Sequence, residues 1–297
     1  MTARDAALAA LTSVIWGLAF VAVKFALQTF SAPELTAVRF VLACLPAFAV
    51  RRPAVSWRML VLIGLTLFTG QFLLLFYAYT RGLPPGLASV TQQTQAFFTV
   101  LLAAIFLREA PSLRQGTGIA VAFAGLALIA TTVGGDVNAA GLALGVGGAL
   151  SWAAGNVLVK RTAGVPIFPL VVWASLVPPV PSLIVAALSA PGGVPLVTAL
   201  RHASWLSIGA ALYLGLMATT VAYAVWGGLR RRYPAAVVAP FALLAPCTGV
   251  VASALIFGEV FGPVRYAGMI LILAGLIIVL RAPAMRVTGA ASVCRPA

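Results

Sequence analysis

One stretch of the sequence occurs twice. Residues 81–130, moved along the chain by 150 positions, align with residues 231–280 without a gap. Each copy holds a long apolar run, a glutamate and a second apolar run. The polar, Gly and Pro matches at this offset include Arg81 with Arg231, Pro84 with Pro234, Glu109 with Glu259, Gly118 with Gly268 and Gly125 with Gly275. Because such matches rarely coincide by chance, the repeat predicts a chain of two related halves.

The beginnings of the two halves also match, at an offset of 136. Trp16–Lys24 and Trp152–Lys160 both read W-x4-V-x-V-K. The change of offset to 150 is absorbed mainly by a longer loop, at about residues 189–204, which contains Pro and Gly residues typical of turns. We therefore predict a first repeat at residues 5–131, a second repeat at residues 139–281 and a tail at residues 282–297.

The composition excludes a soluble domain. Hydrophobic residues make up 62% and charged residues 8% of the 297 residues, whereas soluble domains carry about 25% charged residues. The formal net charge of +14 does not indicate nucleic-acid binding, because the basic residues stand in ones, twos and threes between apolar runs. The sequence therefore suits a lipid environment, and we expect no nucleic-acid partner.

A membrane-spanning helix requires about 20 mostly apolar residues. The apolar run after Arg4 is typical of a signal peptide, but its match in the second half indicates a membrane helix instead. Ten segments meet the length requirement, and we number them helices 1–10: residues 6–28, 33–50, 58–79, 84–107, 112–131, 139–160, 167–188, 205–228, 233–257 and 262–281. The sequence thus predicts an all-α integral membrane protein with ten transmembrane helices.

The basic residues predict the orientation of these helices. With the N-terminus in the cytoplasm, the basic residues near helix ends fall on the cytoplasmic side, except Arg81, Arg201 and Arg265. This asymmetry follows the positive-inside rule and predicts that both termini are cytoplasmic. Because each half holds an odd number of helices, the two five-helix repeats must be inverted relative to each other. Inverted repeats are typical of secondary transporters, whose substrate site lies near the midplane between the halves.

These features resemble the EamA-type, ten-helix members of the drug/metabolite transporter superfamily, over about residues 5–282. The motifs that carry the resemblance are W-G-L-A-F-V-A-V-K in helix 1, Val38-Arg39-Phe40 in helix 2, Leu107-Arg108-Glu109 and Phe257-Gly258-Glu259 after helices 4 and 9, and the glycine pattern of helices 5 and 10. Within this family the chain is most similar to bacterial amino-acid exporters, including exporters of aromatic amino acids.

The resemblance implies a multi-pass protein of the bacterial inner membrane. It implies that the protein exports small amphiphilic metabolites, amino acids first among them, by alternating access through a central cavity, without a cofactor or ATP. The expected partners are the small-molecule substrate and the lipid bilayer, and a monomer is favoured.

Two tryptophans are candidate walls of that cavity. Trp16 and Trp152 lie near the middle of helices 1 and 6, although tryptophan usually prefers the membrane interface, where the indole N–H finds a partner. Their matched positions in the two repeats favour substrate contact. The alternative is that both rings only pack helices together.

A polar stripe on helix 4 is a second candidate. Thr91, Gln95 and Thr99 are spaced to share one helix face, and such a face must meet protein or water inside a membrane. The interpretation is a polar cavity wall, and the alternative is hydrogen bonding between helices. Three further polar residues are expected to join this wall: Gln71 and Tyr79 of helix 3 and Asn156 of helix 6.

Two cations, Lys24 and Arg39, lie well inside apolar runs. A cation at the centre of a membrane helix costs roughly 2.5–3.5 kcal/mol. We predict a structural role for Arg39, with Glu34 at the start of helix 2 as a partner. For Lys24 a structural role and binding of a substrate carboxylate both remain open.

Two acids and two prolines mark helix junctions and bends. Glu109 and Glu259 each precede the next helix, and we predict that they close the fold as acids in a first helical turn rather than carry protons. Pro240 and Pro246 interrupt the apolar run of helix 9, where they form either a hinge or a static kink.

Two rival functions require particular titratable residues. A proton-coupled multidrug antiporter needs a carboxylate inside the membrane, and an integral-membrane enzyme needs clustered acids, histidines or a metal. The five acids map to loops or helix ends, and His202 is the single histidine. Neither a metal site nor a disulfide is expected from Cys44, Cys247 and Cys294, which form no motif.

Overall fold

The computed structural model describes residues 1–134, 137–162, 164–189, 196–281 and 286–287. The ten helices lie where the sequence predicts them: Ala3–Ala26, Ala32–Cys44, Trp57–Thr80, Pro85–Leu107, Leu113–Ala130, Ala139–Lys160, Ile167–Ser189, Trp205–Arg232, Ala239–Phe257 and Pro263–Leu280. A 3₁₀ turn, Leu45–Phe48, extends helix 2, and two short helices, Leu196–His202 and Ala235–Val238, precede helices 8 and 9. Glu109–Ala110 pairs antiparallel with Arg286–Val287.

Among the described residues, nine of the helices are long and apolar enough to cross a membrane. Helix 2, with 13 residues before its 3₁₀ turn, falls below that length. The prediction of an all-α integral membrane protein is confirmed. Of the predicted tail, residues 282–285 and 288–297 lie outside the described residues.

Local sequence signals set several helix ends. Ser31 and Glu34 form a reciprocal capping box at the start of helix 2, and Ser112 and Gln115 form another at the start of helix 5. Helices 4 and 9 both end in a left-handed residue, which releases the chain from the helical path. These two residues are Arg108, with φ of 54°, and Gly258, with φ of 65°.

The repeat is visible in the helix bounds. Helix 5 and helix 10 begin and end at positions 150 residues apart, and so do the α-helical segments Thr94–Leu107 of helix 4 and Leu244–Phe257 of helix 9. Both halves also contain a π-helical stretch inside their third helix, at Gly64–Gly70 and at Tyr213–Val221. Such stretches are frequent at functional sites because they free backbone groups and alter side-chain directions.

Helices 5 and 10 pack against each other through glycines that the repeat exchanges. A Cβ on Gly118 would lie 2.8 Å from the carbonyl oxygen of Gly275, and a Cβ on Gly125 would lie 2.5 Å from that of Gly268. Only glycine allows so close an approach of two backbones. The repeat aligns Gly118 with Gly268 and Gly125 with Gly275. The Gly118–Gly275 contact is therefore equivalent to the Gly268–Gly125 contact, as it would be if a two-fold axis ran between the helices.

Candidate functional site

Trp16 connects helix 1 with the π-helical stretch of helix 8. Its indole N–H donates a hydrogen bond of 2.9 Å to the carbonyl oxygen of Ala218. The indole ring meets Tyr223 and Trp226 edge-on, with centroid distances of 5.5 Å and 5.0 Å. The polar end of this mid-helix tryptophan therefore has a protein partner, and its ring belongs to an aromatic group on helix 8.

Trp152 lines a cavity of about 60 Å³ between helix 3 of the first half and helices 6, 7 and 8 of the second half. The polar groups of the wall are the Trp152 indole, the Asn156 amide and the Tyr223 hydroxyl. Among the described residues, neither the Trp152 N–H nor the Tyr223 hydroxyl has a hydrogen-bond partner. The remaining wall is aliphatic: Ile63, Leu67, Val159, Ile167, Leu170 and Val171.

Tyr223 links the two predicted tryptophans, because it contacts Trp16 and shares the cavity wall with Trp152. Tyr223 is not among the predicted site residues. A tyrosine inside an apolar run carries a hydroxyl that needs a partner, and that signal was present in helix 8.

Gln95 and Asn156, both predicted for a polar cavity wall, are joined by a hydrogen bond. The Asn156 side chain donates to Oε1 of Gln95 at 2.7 Å and to Oγ1 of Thr99 at 3.2 Å. Since Asn156 also lines the cavity, this network joins helix 4 to helix 6 at the cavity wall. The network fits both interpretations of the polar stripe, because it is a hydrogen bond between helices and also a polar surface beside a cavity.

Thr91 precedes an interruption of helix 4 at Gln92 and Gln93, between its α-helical segments. Thr91 is buried and donates to its own helix, at the carbonyl oxygen of Leu87. Its methyl group lies 3.8 Å from the position of a Cβ on Gly145, so Thr91 faces helix 6, the helix whose Asn156 bonds to Gln95 and Thr99. Buried Gln92 also contacts helix 6, where it donates to the Gly145 carbonyl oxygen at 2.8 Å.

The two predicted residues of helix 3 lie outside the cavity wall. The Tyr79 hydroxyl donates to the carbonyl oxygen of Phe20 in helix 1 at 3.0 Å. Gln71 is buried, and its backbone carbonyl packs against Gly148 of helix 6. Both residues therefore stand where helix 3 meets a neighbouring helix.

Lys24 and Lys160 form two ion pairs that the repeat relates. The Lys24 Nζ lies 3.6 Å from Oε1 of Glu259 and 4.1 Å from the centre of the Phe257 ring. The Lys160 Nζ lies 2.6 Å from Oε2 of Glu109. Each pair joins the first helix of one half to the end of the fourth helix of the other half. Glu259 contacts the start of helix 4 and Glu109 follows its end, so the pairs lie at opposite faces of the bundle.

The two glutamates do not occupy the first turns predicted for them. The N-caps of helices 5 and 10 are Ser112 and Gly262, and neither first turn contains an acid. Glu259 instead accepts hydrogen bonds from the backbone N–H of Gly86, at 3.1 Å, and from the hydroxyl of Ser253. Its carboxylate thus lies at the positive N-terminal end of helix 4, a favourable position for an anion.

Arg39 has no ion pair among the described residues, which corrects the predicted pairing with Glu34. The Glu34 carboxylate is used by the capping box, where it accepts from the N–H and hydroxyl of Ser31. The buried Arg39 side chain donates from Nε to the Thr219 hydroxyl at 3.2 Å and lies 4.0 Å over the Phe72 ring.

Pro240 and Pro246 lie at a break near the start of helix 9. Pro240 belongs to the 3₁₀ turn Ala239–Leu243, and Pro246 to the first turn of the α-helical segment Leu244–Phe257. Proline is tolerated in a first turn because the helix needs no N–H there. The Pro246 carbonyl accepts from the Ser89 hydroxyl at 3.2 Å. The break matches the interruption of helix 4 at the 150-residue offset, and both the hinge and the kink remain predictions.

The chain is similar to several curated proteins over nearly its whole length. A "Probable amino-acid metabolite efflux pump" of Salmonella typhimurium is 38% identical over 285 residues, which cover 94% of this chain and 95% of that protein. An Escherichia coli protein of the same description gives the same values. A "Probable terminal-alkyne amino-acid exporter" of Streptantibioticus cattleyicolor is 29% identical over 289 residues, covering 91% of each chain.

A solved crystal structure shares the fold. It superposes with a TM-score of 0.63 at 18% identity, over 93% of this chain and 96% of that one. Residues 5–131 and 139–281 each match the family described as EamA-like transporter family. This multi-pass membrane protein, a transporter rather than an enzyme, belongs to the EamA-like transporter family.

Proposed function

We propose that this protein exports amino acids, or metabolites closely similar to them, by alternating access through the cavity beside Trp152. The relatives named as efflux pumps and exporters support the substrate class and the direction. The proposal extends to localisation, with the chain in a bacterial inner membrane and both termini in the cytoplasm.

The observation that carries the proposal is the chemistry of the cavity wall. Ligand sites are mostly apolar, with a few well-placed polar groups. Here one wall is aliphatic and aromatic, while Trp152, Asn156 and Tyr223 present polar groups. An amino acid with a large apolar or aromatic side chain combines the same two characters. We therefore favour such side chains within the substrate class.

The size of the cavity fits an occluded state between two open ones. A volume of about 60 Å³ is far below the roughly 300–1,000 Å³ of ligand pockets. An amino acid therefore enters or leaves only when the surrounding helices separate. Alternating access supplies that separation, on one face of the membrane at a time.

The two ion pairs are suited to control that separation. Lys24–Glu259 and Lys160–Glu109 connect opposite halves at opposite faces, and both are formed here. The lysine side chains are 45% and 40% exposed and the glutamate side chains 11% and 15% exposed. Each pair is therefore open to solvent on the lysine side, and ion pairs open to solvent contribute only about 0–1 kcal/mol. Pairs of this strength can open and close during a cycle without trapping the protein in one state.

The described acids favour export down the substrate's own gradient. Asp5, Glu34, Glu109 and Glu259 each have a protein partner, and none of them lines the cavity. Asp136 lies outside the described residues. A carrier that exchanges protons for organic cations relies on a membrane-embedded carboxylate whose pKa burial raises. The cavity wall described here offers polar donors and an amide in its place.

Counterflow in liposomes tests the proposed function. Purified protein is reconstituted into liposomes loaded with unlabelled amino acid, and uptake of labelled amino acids is compared with empty liposomes. We expect uptake of large apolar or aromatic amino acids. Trp152→Ala should lower this uptake, whereas Trp205→Ala, at a residue that is 89% exposed, should not. Uptake equal to that of empty liposomes for the whole panel would refute the proposed function.

A further inference from the structure

A buried cation lies near the middle of helix 2. Arg39 is 5% exposed, and its backbone carbonyl packs closely against Gly215 in the π-helical stretch of helix 8. Because a Cβ on Gly215 would lie only 2.9 Å from that carbonyl oxygen, helix 2 is fixed against helix 8 at this point. The packing thus fixes the backbone at Arg39, and the side-chain contacts fix the guanidinium.

The protein supplies partners for only part of this guanidinium. Its Nε donates to the Thr219 hydroxyl, and its plane lies over the Phe72 ring. Among the described residues, its terminal nitrogens have no acceptor, and each described acid is engaged elsewhere. A buried charge without a counterion is costly, and ionisable groups inside membrane helices commonly mark a substrate or ion pathway.

The contacts of the guanidinium connect it with the surroundings of the cavity. Phe72 packs against the same apolar cluster as Trp152 and Tyr223, two residues of the cavity wall. Thr219 directly follows Ala218, whose carbonyl oxygen accepts from Trp16. Through Phe72 the charge therefore adjoins the apolar cluster to which these aromatic wall residues belong.

We propose that Arg39 binds the carboxylate of the transported substrate. This inference deepens the proposed function and rests on it. A planar guanidinium presents two parallel N–H groups that match a carboxylate, which makes it the preferred partner for planar, bidentate recognition. The substrate carboxylate supplies the counterion that Arg39 lacks, while the substrate side chain packs against Trp152 and Tyr223.

The proposal defines which molecules are recognised. Compounds that keep the carboxylate, such as an N-acetyl amino acid, bind Arg39. The methyl ester and the amide of the same amino acid lack the negative charge and bind weakly. Organic cations without a carboxylate are excluded by the positive charge of Arg39, which separates this carrier from one for cationic drugs.

Competition of counterflow tests this recognition. Labelled amino-acid counterflow is measured with increasing free amino acid, its N-acetyl derivative or its methyl ester outside the liposomes. For the wild type we expect the ester to need a roughly tenfold to hundredfold higher concentration for half-inhibition, as the loss of a hydrogen bond to a charged group implies. In Arg39→Gln the difference between acid and ester should fall to within about twofold.

Thermal unfolding of the purified variants separates substrate binding from a structural role. Removing a buried charge that has no counterion should not destabilise the protein, so Arg39→Met should unfold at or above the wild-type temperature. The free amino acid should raise the unfolding temperature of the wild type and leave that of Arg39→Met unchanged. Arg265→Met is the matched control, because Arg265 is a buried arginine that donates to Thr132 in the turn after helix 5. It should lower the unfolding temperature and leave the preference for acid over ester intact.

The outcomes distinguish the two proposals. If the wild type transports no amino acid, the proposed function fails. In that case the thermal shift of the wild type by a panel of small carboxylates still tests Arg39, and absence of any shift refutes the carboxylate site. If amino acids are transported but the ester competes as well as the acid, or Arg39→Gln keeps the discrimination, the inference about Arg39 is wrong while the proposed function stands.

Discussion

At the scale of single residues, the Tyr223 hydroxyl is a polar group that can be removed with little effect on the packing around it. It has no hydrogen-bond partner in the described part of the chain, Tyr223 lines the cavity, and the Tyr223 ring supports Trp16. A substrate that hydrogen-bonds this hydroxyl loses that bond when the hydroxyl is removed, and the packing of the ring is kept.

Tyr223→Phe should therefore raise the KM of counterflow with little change in thermal stability. A single hydrogen bond contributes about 0.5–1.5 kcal/mol, which corresponds to a rise of roughly twofold to twelvefold. Tyr233→Phe is the control, because the Tyr233 hydroxyl donates to Asp5 away from the cavity and should leave KM unchanged. A KM for Tyr223→Phe equal to that of the wild type would exclude contact between this hydroxyl and the substrate.

Part of the site could be predicted residue by residue. Trp152 and Asn156 line the cavity and Gln95 bonds to Asn156, because a polar group inside an apolar run must find a polar surface or partner. Lys24 was also identifiable as an unusual cation. Its partner Glu259 was not, since that pairing depends on how the two halves meet in space.

At the scale of helices, close glycine contacts fix helix 5 against helix 10. Gly125→Ala would place a Cβ 2.5 Å from the Gly268 carbonyl oxygen, and overpacking of this kind costs about 1–3 kcal/mol. We expect a lower temperature of thermal unfolding for the purified variant.

Gly116→Ala, on the same helix, is the matched control. Beyond the neighbouring backbone of its own helix, no described atom lies within 4 Å of a Cβ placed there, and alanine favours a helix over glycine by about 1 kcal/mol. This variant should unfold at the wild-type temperature or above it. If both variants behave alike, the glycine contact between helices 5 and 10 is not what holds them together.

Helix positions were predictable, whereas interruptions within helices were only partly so. Apolar runs and caps located the ten helices, nine of which, among the described residues, are long and apolar enough to cross a bilayer. Pro240 and Pro246 signalled the break in helix 9. The break at Gln92 and Gln93 in helix 4 carries no proline or glycine, so no local signal in the sequence predicts it.

At the scale of the whole molecule, the positive-inside asymmetry predicts that both termini are cytoplasmic. A reporter that is active only in the cytoplasm, fused after the last helix, should show activity. The same fusion with a periplasmic reporter should be inactive. The reverse pattern would place the C-terminus in the periplasm and contradict the predicted topology.

The distribution of acids predicts transport without proton coupling. A pH gradient imposed across the liposome membrane should not by itself drive accumulation of labelled amino acid, because no described acid lines the cavity. Accumulation driven by the gradient alone, and abolished by neutralising Glu34, Glu109 or Glu259, would support the antiporter instead.

The most direct test of alternating access locks one face at a time. Lys24 and Glu259 are replaced by cysteines in a protein whose own cysteines are changed to serine, and a short bifunctional thiol reagent joins them. A second protein carries the cysteines at Lys160 and Glu109. Counterflow should be lost on cross-linking at either face and return when a cleavable linker is cut, while single-cysteine controls stay active. Counterflow that persists with one face locked would contradict the account.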